Sequence, residues 1–428
     1  MDASTPYQRR VIDDELDELM AGLPAIAVEG AKGIGKTRTA MERAKTAHRL
    51  DDPAELAVAK ADPARLLEGE RPVLIDEWQR LPHAWDLVRR AVDDGAPAGS
   101  FLLTGSAAPD PPPTHSGAGR IVSLRMRPLA LSERLKDEPT VSLSELLSGA
   151  RPPITGQTSM DLGGYTTEIL RSGLPGLRDL APRPLRAQID GYVARVVDRD
   201  IPDEAGIHIR NPAALRRWMS AYAAASSSTA TFETLRDAAT AGENEKPAKK
   251  TTLGYRDVLA RVWVLDEVPA WIPSNNRLNE LGQAPKHQLV DPALAAQLLG
   301  VQADTLLAGR SSGPNIPRDG TLLGALFESL ATLSVRVYAA HSEAKVGHLR
   351  TQRGRREVDL IVEHANGSTV AIEVKLARTI EDGDVRHLNW LGRQLGDSVL
   401  DRVIITTGPQ AYRREDSVAV VPLALLGP

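Results

Sequence analysis

Residues 30–37 read GAKGIGKT, an order of residue types that fits G-x-x-x-x-G-K-[ST]. Gly30, Gly33 and Gly35 let the chain curl until consecutive backbone N–H groups face one anion. Lys36 brings an ammonium to β- and γ-phosphates, and Thr37 offers its hydroxyl to Mg²⁺; Arg38, the next residue, joins the nucleotide-binding candidates. A second stretch, VLIDEWQ, carries Asp76, suited to the Mg²⁺ shell, and Glu77, suited to polarising an attacking water. A third, SFLLTGS, ends in Thr104 and Ser106, which are placed to contact a γ-phosphate or the water. Arg120 follows a Pro/Gly-rich loop and is a candidate to reach a phosphate, in its own subunit or a neighbour's; Arg125 and Arg127 compete for that role. Together these residues point to hydrolysis of ATP with Mg²⁺.

A second group lies in REVDLIVEHANGSTVAIEVKLA, two short alternating runs around Asn366-Gly367. A two-residue loop would mix charged and apolar side chains on both faces of the hairpin. A three-residue loop, Ala365-Asn366-Gly367 with Gly367 left-handed, sets Val358 opposite Val374, Leu360 opposite Ile372 and Val362 opposite Val370. One face is then wholly apolar, and its burial fixes the register. The other face sets Asp359 opposite Glu373 and Glu357 opposite Lys375. Facing carboxylates repel, so a bound cation or Lys375 must compensate.

The elements that must hold these residues fall into three regions. Over 1–150, short apolar runs (PAIAV, PVLID, SFLLTG) alternate with helical patterns such as RTAMERAKTAHRL, which predicts βαβ units and a parallel sheet. Over 160–310 the pattern is mostly helical. There, PAALRRWMSAYAAA, TFETLRDAAT and TLGYRDVLARVWVLDEVPAW predict three helices and an apolar strand pair, in the order of a winged helix. Thr251 or Thr252 is expected to cap the third helix, and Lys246, Lys249, Lys250, Arg256 and Arg261 give it a basic face for DNA phosphates. The alternative is a module that packs without touching nucleic acid. After the linker SSGPNIPRDG, residues 318–428 read as a helix, the hairpin, a polar helix and a last strand, DRVIITTG.

Composition sets the outer bounds. The 428 residues are 42% hydrophobic and 25% charged, ordinary values for a globular protein with two to four domains. With no cysteine, disulfides and thiolate metal sites are excluded. No apolar run approaches the roughly 20 residues of a membrane span, and the acidic N-terminal stretch has no signal-peptide pattern, so a cytoplasmic protein is expected. A net charge of −4 excludes a uniformly basic nucleic-acid binder but not a local basic patch.

The chain resembles the bacterial and archaeal AAA-type ATPases whose C-terminal part is a domain of unknown function numbered 4143. The likeness rests on YQRRVIDDELDELMAGLPAIAVEGAKGIGKT, VLIDEWQ, FLLTGS and GR…RPLALSE. Further along it rests on GGYTTEILRSGLPGL, YVARVVDRDIP, PKHQLVDPALAAQLLG, GALFESL and EVDLIV…AIEVK. It implies an α/β chain: a P-loop ATPase domain, a winged-helix-like middle domain, and a C-terminal fold like the PD-(D/E)xK nucleases. In that last fold Asp359 and Glu373 would hold Mg²⁺ and Lys375 would support the nucleophile, with Glu328 at an extra acidic position and His348 and His387 near enough to line the site. The expected function is ATP hydrolysis coupled to nucleic-acid binding or Mg²⁺-dependent cleavage, with a homo-oligomer as the candidate assembly. The alternative is an ATP-gated regulatory or protein-binding module whose nuclease-like domain is inactive.

Overall fold

The computed structural model describes residues 6–109, 113–204, 209, 211–240, 249–273, 284–310, 313–316, 320–351 and 354–428. The chain divides into two compact units, each built from separate stretches of sequence: Met1–Pro128, Leu174–Leu215 and Leu253–Leu265 in the first, and Leu129–Gly173, Arg216–Thr252 and Asp266–Pro428 in the second.

In the first unit, helix α1 (Ile12–Gly22) precedes a five-stranded parallel sheet formed by β1 (Ala25–Glu29), β2 (Thr46–Arg49), β3 (Val73–Asp76), β4 (Phe101–Gly105) and β5 (Val122–Arg125). The order is β2-β3-β4-β1-β5. Strands β1, β3 and β4 are apolar without alternation because nearly every residue in them is buried. Strand β4 lies between β1 and β3, pairing Val28 and Asp76 with Thr104. The loop after β1 and the carboxylates that end β3 therefore converge on the C-terminal end of β4, where an open parallel sheet binds its ligands.

The run RTAMERAKTAHRL, expected to be helical, is so only at its start. Helix α2 stops after one and a half turns (Lys36–Met41), and Thr46–Arg49 joins the sheet as β2 beside β3. The sheet edge supplies backbone partners from Thr46 onward, and that pairing outweighs the local helical period. Helix α3 (His83–Asp93) buries Trp85 against Trp78, with ring centroids 4.7 Å apart. Its buried Asp86 accepts hydrogen bonds from the N–H groups of Thr114 and His115, which pins the loop before Arg120. Helix α4 (Pro182–Arg195) runs on into a π-helical turn at Val196–Asp200. Helix α5 (Lys249–Arg261) begins before Thr251 and Thr252, so neither threonine caps it.

The second unit contains a seven-stranded sheet of β6 (Gly156–Gln157), β7 (Lys345–Arg350), β8 (Glu357–Glu363), β9 (Thr369–Lys375), β10 (Val399–Thr406), β11 (Gln410–Arg413) and β12 (Ala419–Pro422), ordered β6-β11-β12-β10-β9-β8-β7. DRVIITTG is not the last strand: β11 and β12 extend the sheet past it. Helix α6 (Leu322–His341), capped by the Thr321 hydroxyl on the Gly324 N–H, lies against β7 and β9. It is the one described helix long and apolar enough to cross a membrane, and 72% of its apolar window is buried inside the protein. Helix α7 (Arg386–Leu395) spaces Leu388, Leu391 and Leu395 along one face, and they form one core with Ile361, Ala371, Ile404 and Val420.

The β8–β9 hairpin has the register the turn predicts: Val370 pairs with Val362 and Ile372 with Leu360. His364 and Ser368 close the loop, and Gly367 sits at φ 81°. The second face, however, is not a solvated one. Ile361 and Ala371 are as buried as Leu360 and Ile372, so Asp359 and Glu373 lie inside the unit. The stretch after α5 does not fold back on itself as a strand pair. Val268 exchanges backbone hydrogen bonds with Lys286, and Pro269 and Trp271 bond His348 of β7.

Candidate functional site

The loop after β1 has the geometry of an anion cradle. Gly30 has φ 152°, and a Cβ there would run into the Met126 carbonyl oxygen; Gly35 has φ 106°. Lys36 is buried and donates to the carbonyl oxygens of Gly30 and Ala31 at 2.8 and 2.9 Å, so its ammonium is folded onto the loop that would receive phosphate. Thr37 Oγ1 donates to Asp76 Oδ1 at 2.8 Å, and Thr104 Oγ1 donates to the same oxygen. Burial pushes the Asp76 carboxyl above its ordinary range, against the two hydroxyls that stabilise its anion.

Glu77 stands beside this group in left-handed backbone, φ 58°. Its N–H donates to Thr104 Oγ1 at 3.3 Å, and its Oε2 accepts from Ser106 Oγ at 2.7 Å and from Gln79 Nε2. Gln79 Nε2 also reaches Ser106 Oγ at 3.1 Å. The carboxylate is therefore aimed by two side chains.

Arg10 supports the loop from outside the motif. It is buried, and its guanidinium donates to the Ile34 carbonyl at 3.0 Å and to the Arg127 carbonyl at 3.0 Å. Tyr7 Oη donates to Asp13 at 2.7 Å and lies 2.9 Å from Thr39 Oγ1 on α2. On the other side, Lys32 Nζ is 2.8 Å from Asp200, and Tyr192 Oη donates to the Lys32 carbonyl at 3.3 Å. Ile34 is thus tied to Arg10, just before α1, and Lys32 to Tyr192 of α4 and to Asp200 of the π-helical turn.

The second group is a buried charge cluster. Lys286 Nζ lies 2.8 Å from Glu328 Oε1, 2.8 Å from Asp359 Oδ1 and 3.4 Å from Glu357 Oε1, and its side chain is 1% exposed. Burial alone would lower its pKa; Asp359, Glu328 and Glu357 outweigh that and hold it well above the ordinary lysine value. Asp359 Oδ2 accepts the Val374 N–H at 2.9 Å. Its pKa falls despite burial, because Lys286 favours the anion. Lys375 Nζ lies 2.8 Å from Glu373 Oε1, and Glu373 Oε2 is buried without a hydrogen-bond partner. Burial and the Asp359 charge push Glu373 up to about 8, and the same two causes push Glu328 up to about 8. His348 is buried near Lys286 and lowered to about 4 by burial first, then by that ammonium. His387 Nδ1 is 2.8 Å from the Glu357 carbonyl oxygen. Among the described residues no group of three His, Asp or Glu side chains is arranged to hold a metal ion. Of the two facing carboxylates, Glu373 is paired with Lys375, as expected, and Asp359 with Lys286, a partner the sequence did not point to.

Residues 23–135 match the AAA domain family. This stretch is an AAA-type P-loop domain. Residues 163–305 match a domain of unknown function (DUF8612), and residues 323–426 match a second (DUF4143). Two curated proteins are similar over nearly the whole chain: uncharacterized protein Mb2031c of Mycobacterium bovis and uncharacterized protein Rv2008c of Mycobacterium tuberculosis. Each is 26% identical over 426 residues, 97% of this chain and 83% of the relative. Among solved structures, the Walker-type ATPase PABY2304 of Pyrococcus abyssi overlays with a TM-score of 0.40 at 14% identity, over 69% of this chain and 98% of that one. The ORC2 protein of Aeropyrum pernix, solved in ADPNP–ADP complexes, overlays with a TM-score of 0.30 at 14% identity, over 71% and 96%. Overlays this loose add nothing to the domain match.

Within the AAA domain the three competing arginines have separate places. Arg120 is half exposed and pairs with Asp93 at 2.8 Å. Arg125 stacks over the Trp263 ring at 4.1 Å, and Arg127 lends its carbonyl to Arg10. Arg38 pairs with Glu42 on the helix surface. Arg10 and Gln79 carry no motif signature, and the sequence assigned them no role. Lys286 stands in PKHQLVDP, a stretch that resembles the family but whose lysine has no chemical pattern around it.

The Arg10 clamp predicts a measurable effect. Arg10→Met is expected to raise KM for ATP roughly tenfold, the loss of about one charge-assisted hydrogen bond, with a smaller change in kcat. Steady-state hydrolysis checks it; an unchanged KM would show that the loop keeps its shape without the clamp.

Proposed function

We propose that the AAA domain hydrolyses ATP with Mg²⁺, and that Lys36, Thr37, Asp76, Glu77 and Thr104 carry the reaction. The observation that carries this reading is the convergence of Thr37 and Thr104 on one oxygen of Asp76, with Glu77 next in sequence and held by Ser106. A hydroxyl and a carboxylate side by side are hard oxygen donors, and they fit Mg²⁺. When bound, the ion neutralises charge on the phosphate oxygens. Lys36 exchanges the Gly30 and Ala31 carbonyls for phosphate oxygens, and the loop N–H groups bind the rest. Glu77 takes the proton from the attacking water, and Ser106 and Gln79 keep its carboxylate oriented while it does so. Arg120, freed from Asp93, is the candidate to reach a phosphate across a subunit boundary.

The partner in this reading is nucleic acid, held by the basic face of α5. Lys250 is exposed there and Arg256 is half-buried; Lys246 and the Lys249 side chain lie outside the described residues. The test is ATP hydrolysis measured with double-stranded, single-stranded and no DNA. Reversing Lys249, Lys250 and Arg256 to Glu is expected to weaken DNA binding about equally across sequences. The log–log salt slope should flatten by about 0.9 for each phosphate that is no longer neutralised. Absence of DNA retention by the wild type even at low salt would remove this partner. The second reading, an ATP-gated regulatory or protein-binding module, is favoured by the acidic balance of the chain, −4.

A further inference from the structure

The carboxylates gathered by α6 and β8 need a counter-charge, and the chain supplies it from 42 residues before Glu328 and 73 before Asp359. Glu328 comes from the helix, Glu357 and Asp359 from the strand, and all three face one ammonium. That ammonium is not at the end of a loose arm. The Lys286 N–H donates to the Val268 carbonyl at 2.9 Å, and the Val268 N–H donates back at 3.0 Å. The next residue is fixed as well, its N–H on the Ser228 carbonyl at 2.8 Å. With its backbone laddered and its side chain enclosed, Lys286 has no short route out of the cluster.

We propose that Lys286 is the resident cation of this cluster, standing between Glu328 and Asp359 where a divalent ion would otherwise bind, so that the C-terminal domain holds its acids together without a metal. The chemistry is exclusive. Magnesium or calcium takes carboxylate oxygens at about 2.0–2.6 Å, and an ammonium takes them as hydrogen-bond acceptors at about 2.8 Å. One Asp359 oxygen accepts from Lys286 and the other from the Val374 N–H, so an ion placed between Asp359 and Glu328 must first displace the ammonium that bridges them. Removing one partner of a buried pair strands the other charge, so the cluster is expected to respond sharply to single substitutions. This inference goes beyond ATP hydrolysis and does not depend on it.

The experiment uses the full chain without nucleotide, with Mn²⁺ as the probe, and reads thermal melting and calorimetry. Wild type and Asp359→Asn are expected to respond identically to Mn²⁺, and Asp359→Asn is expected to melt lower because Lys286 loses a partner while staying buried. Lys286→Met should melt lower still, by about 10 °C. Mn²⁺ should recover part of that loss, and the recovery should vanish in Lys286→Met with Asp359→Asn. Three results would overturn the proposal. These are Mn²⁺ binding by wild type that Asp359→Asn abolishes, an Asp359→Asn protein that melts at or above wild type, and a folded Lys286→Met protein that gains nothing from Mn²⁺. If Lys286→Met does not fold, the wild-type and Asp359→Asn comparison decides alone. Hydrolysis of ATP, assayed on the same proteins, separates failure here from failure of the ATPase reading.

Discussion

Lys36→Ala is expected to lose ATP binding, and Glu77→Gln is expected to keep it while turnover falls by about 10²–10⁴-fold. The two substitutions separate binding from chemistry because the two side chains have different work. Lys36 is buried against the Gly30 and Ala31 carbonyls, so its ammonium already sits within the loop that would receive the phosphates. Its loss leaves a cradle of N–H groups without the charge that offsets desolvation of a triphosphate. The hydrogen bonds of Glu77 run instead to Thr104, Ser106 and Gln79, not to the glycine loop. Glutamine can keep those partners, since its carbonyl oxygen accepts from the same donors, but it does not take a proton from water. Calorimetry gives the affinities and single-turnover hydrolysis the rates. Unchanged ATP affinity in Lys36→Ala, or unchanged turnover in Glu77→Gln, would each remove that residue from its role.

What could be read from the sequence divides along a physical line. The phosphate loop is contiguous, and its glycines, lysine and threonine do their work within eight residues, so the motif carries its own context. The buried strands β1, β3 and β4 read correctly because a strand covered on both faces must be apolar throughout. The hairpin register followed from burial, since only the three-residue loop aligns Val362 with Val370 and leaves one face wholly apolar. Interactions made across long separations were not legible. Arg10 reaches Ile34 and Arg127, and nothing near Arg10 signals it. Lys286 reads as one of several polar residues in PKHQLVDP until the fold sets it against Glu328 and Asp359. Strand β2 was hidden for the same reason, because the partner of Thr46–Arg49 is β3, from a later part of the chain. On a lone hairpin the face bearing Asp359 and Glu373 would be open to water. In a seven-stranded sheet carrying α7, Ile361 and Ala371 are core, and the acids between them are buried too.

That burial has a pH signature. Glu373 is pushed from its ordinary 4.5 up to about 8, first by burial and then by Asp359, while Lys375 and Lys286 pull the other way without prevailing. A folded-state pKa above the unfolded one means the folded protein keeps a proton that the unfolded chain has released. The contribution to stability is therefore fully present below about pH 4.5, and it is lost as the pH climbs through about 8. Glu328 adds to the same slope from the helix side. The neighbours that might blur it are quiet in this window, since Asp359 is lowered and His348 stays neutral above about 4. In buffer with a chelator, the wild type is expected to melt at a lower temperature at pH 9 than at pH 6. Glu373→Gln removes the proton-binding group but keeps its shape and one acceptor oxygen. It is expected to narrow that difference and to melt above wild type at pH 9, by an amount on the order of a few kcal/mol when converted to stability. Melting curves for the two proteins at both pH values test it. Equal pH slopes for the two proteins would mean that Glu373 is ionised throughout and that Lys375, at 2.8 Å, governs it after all.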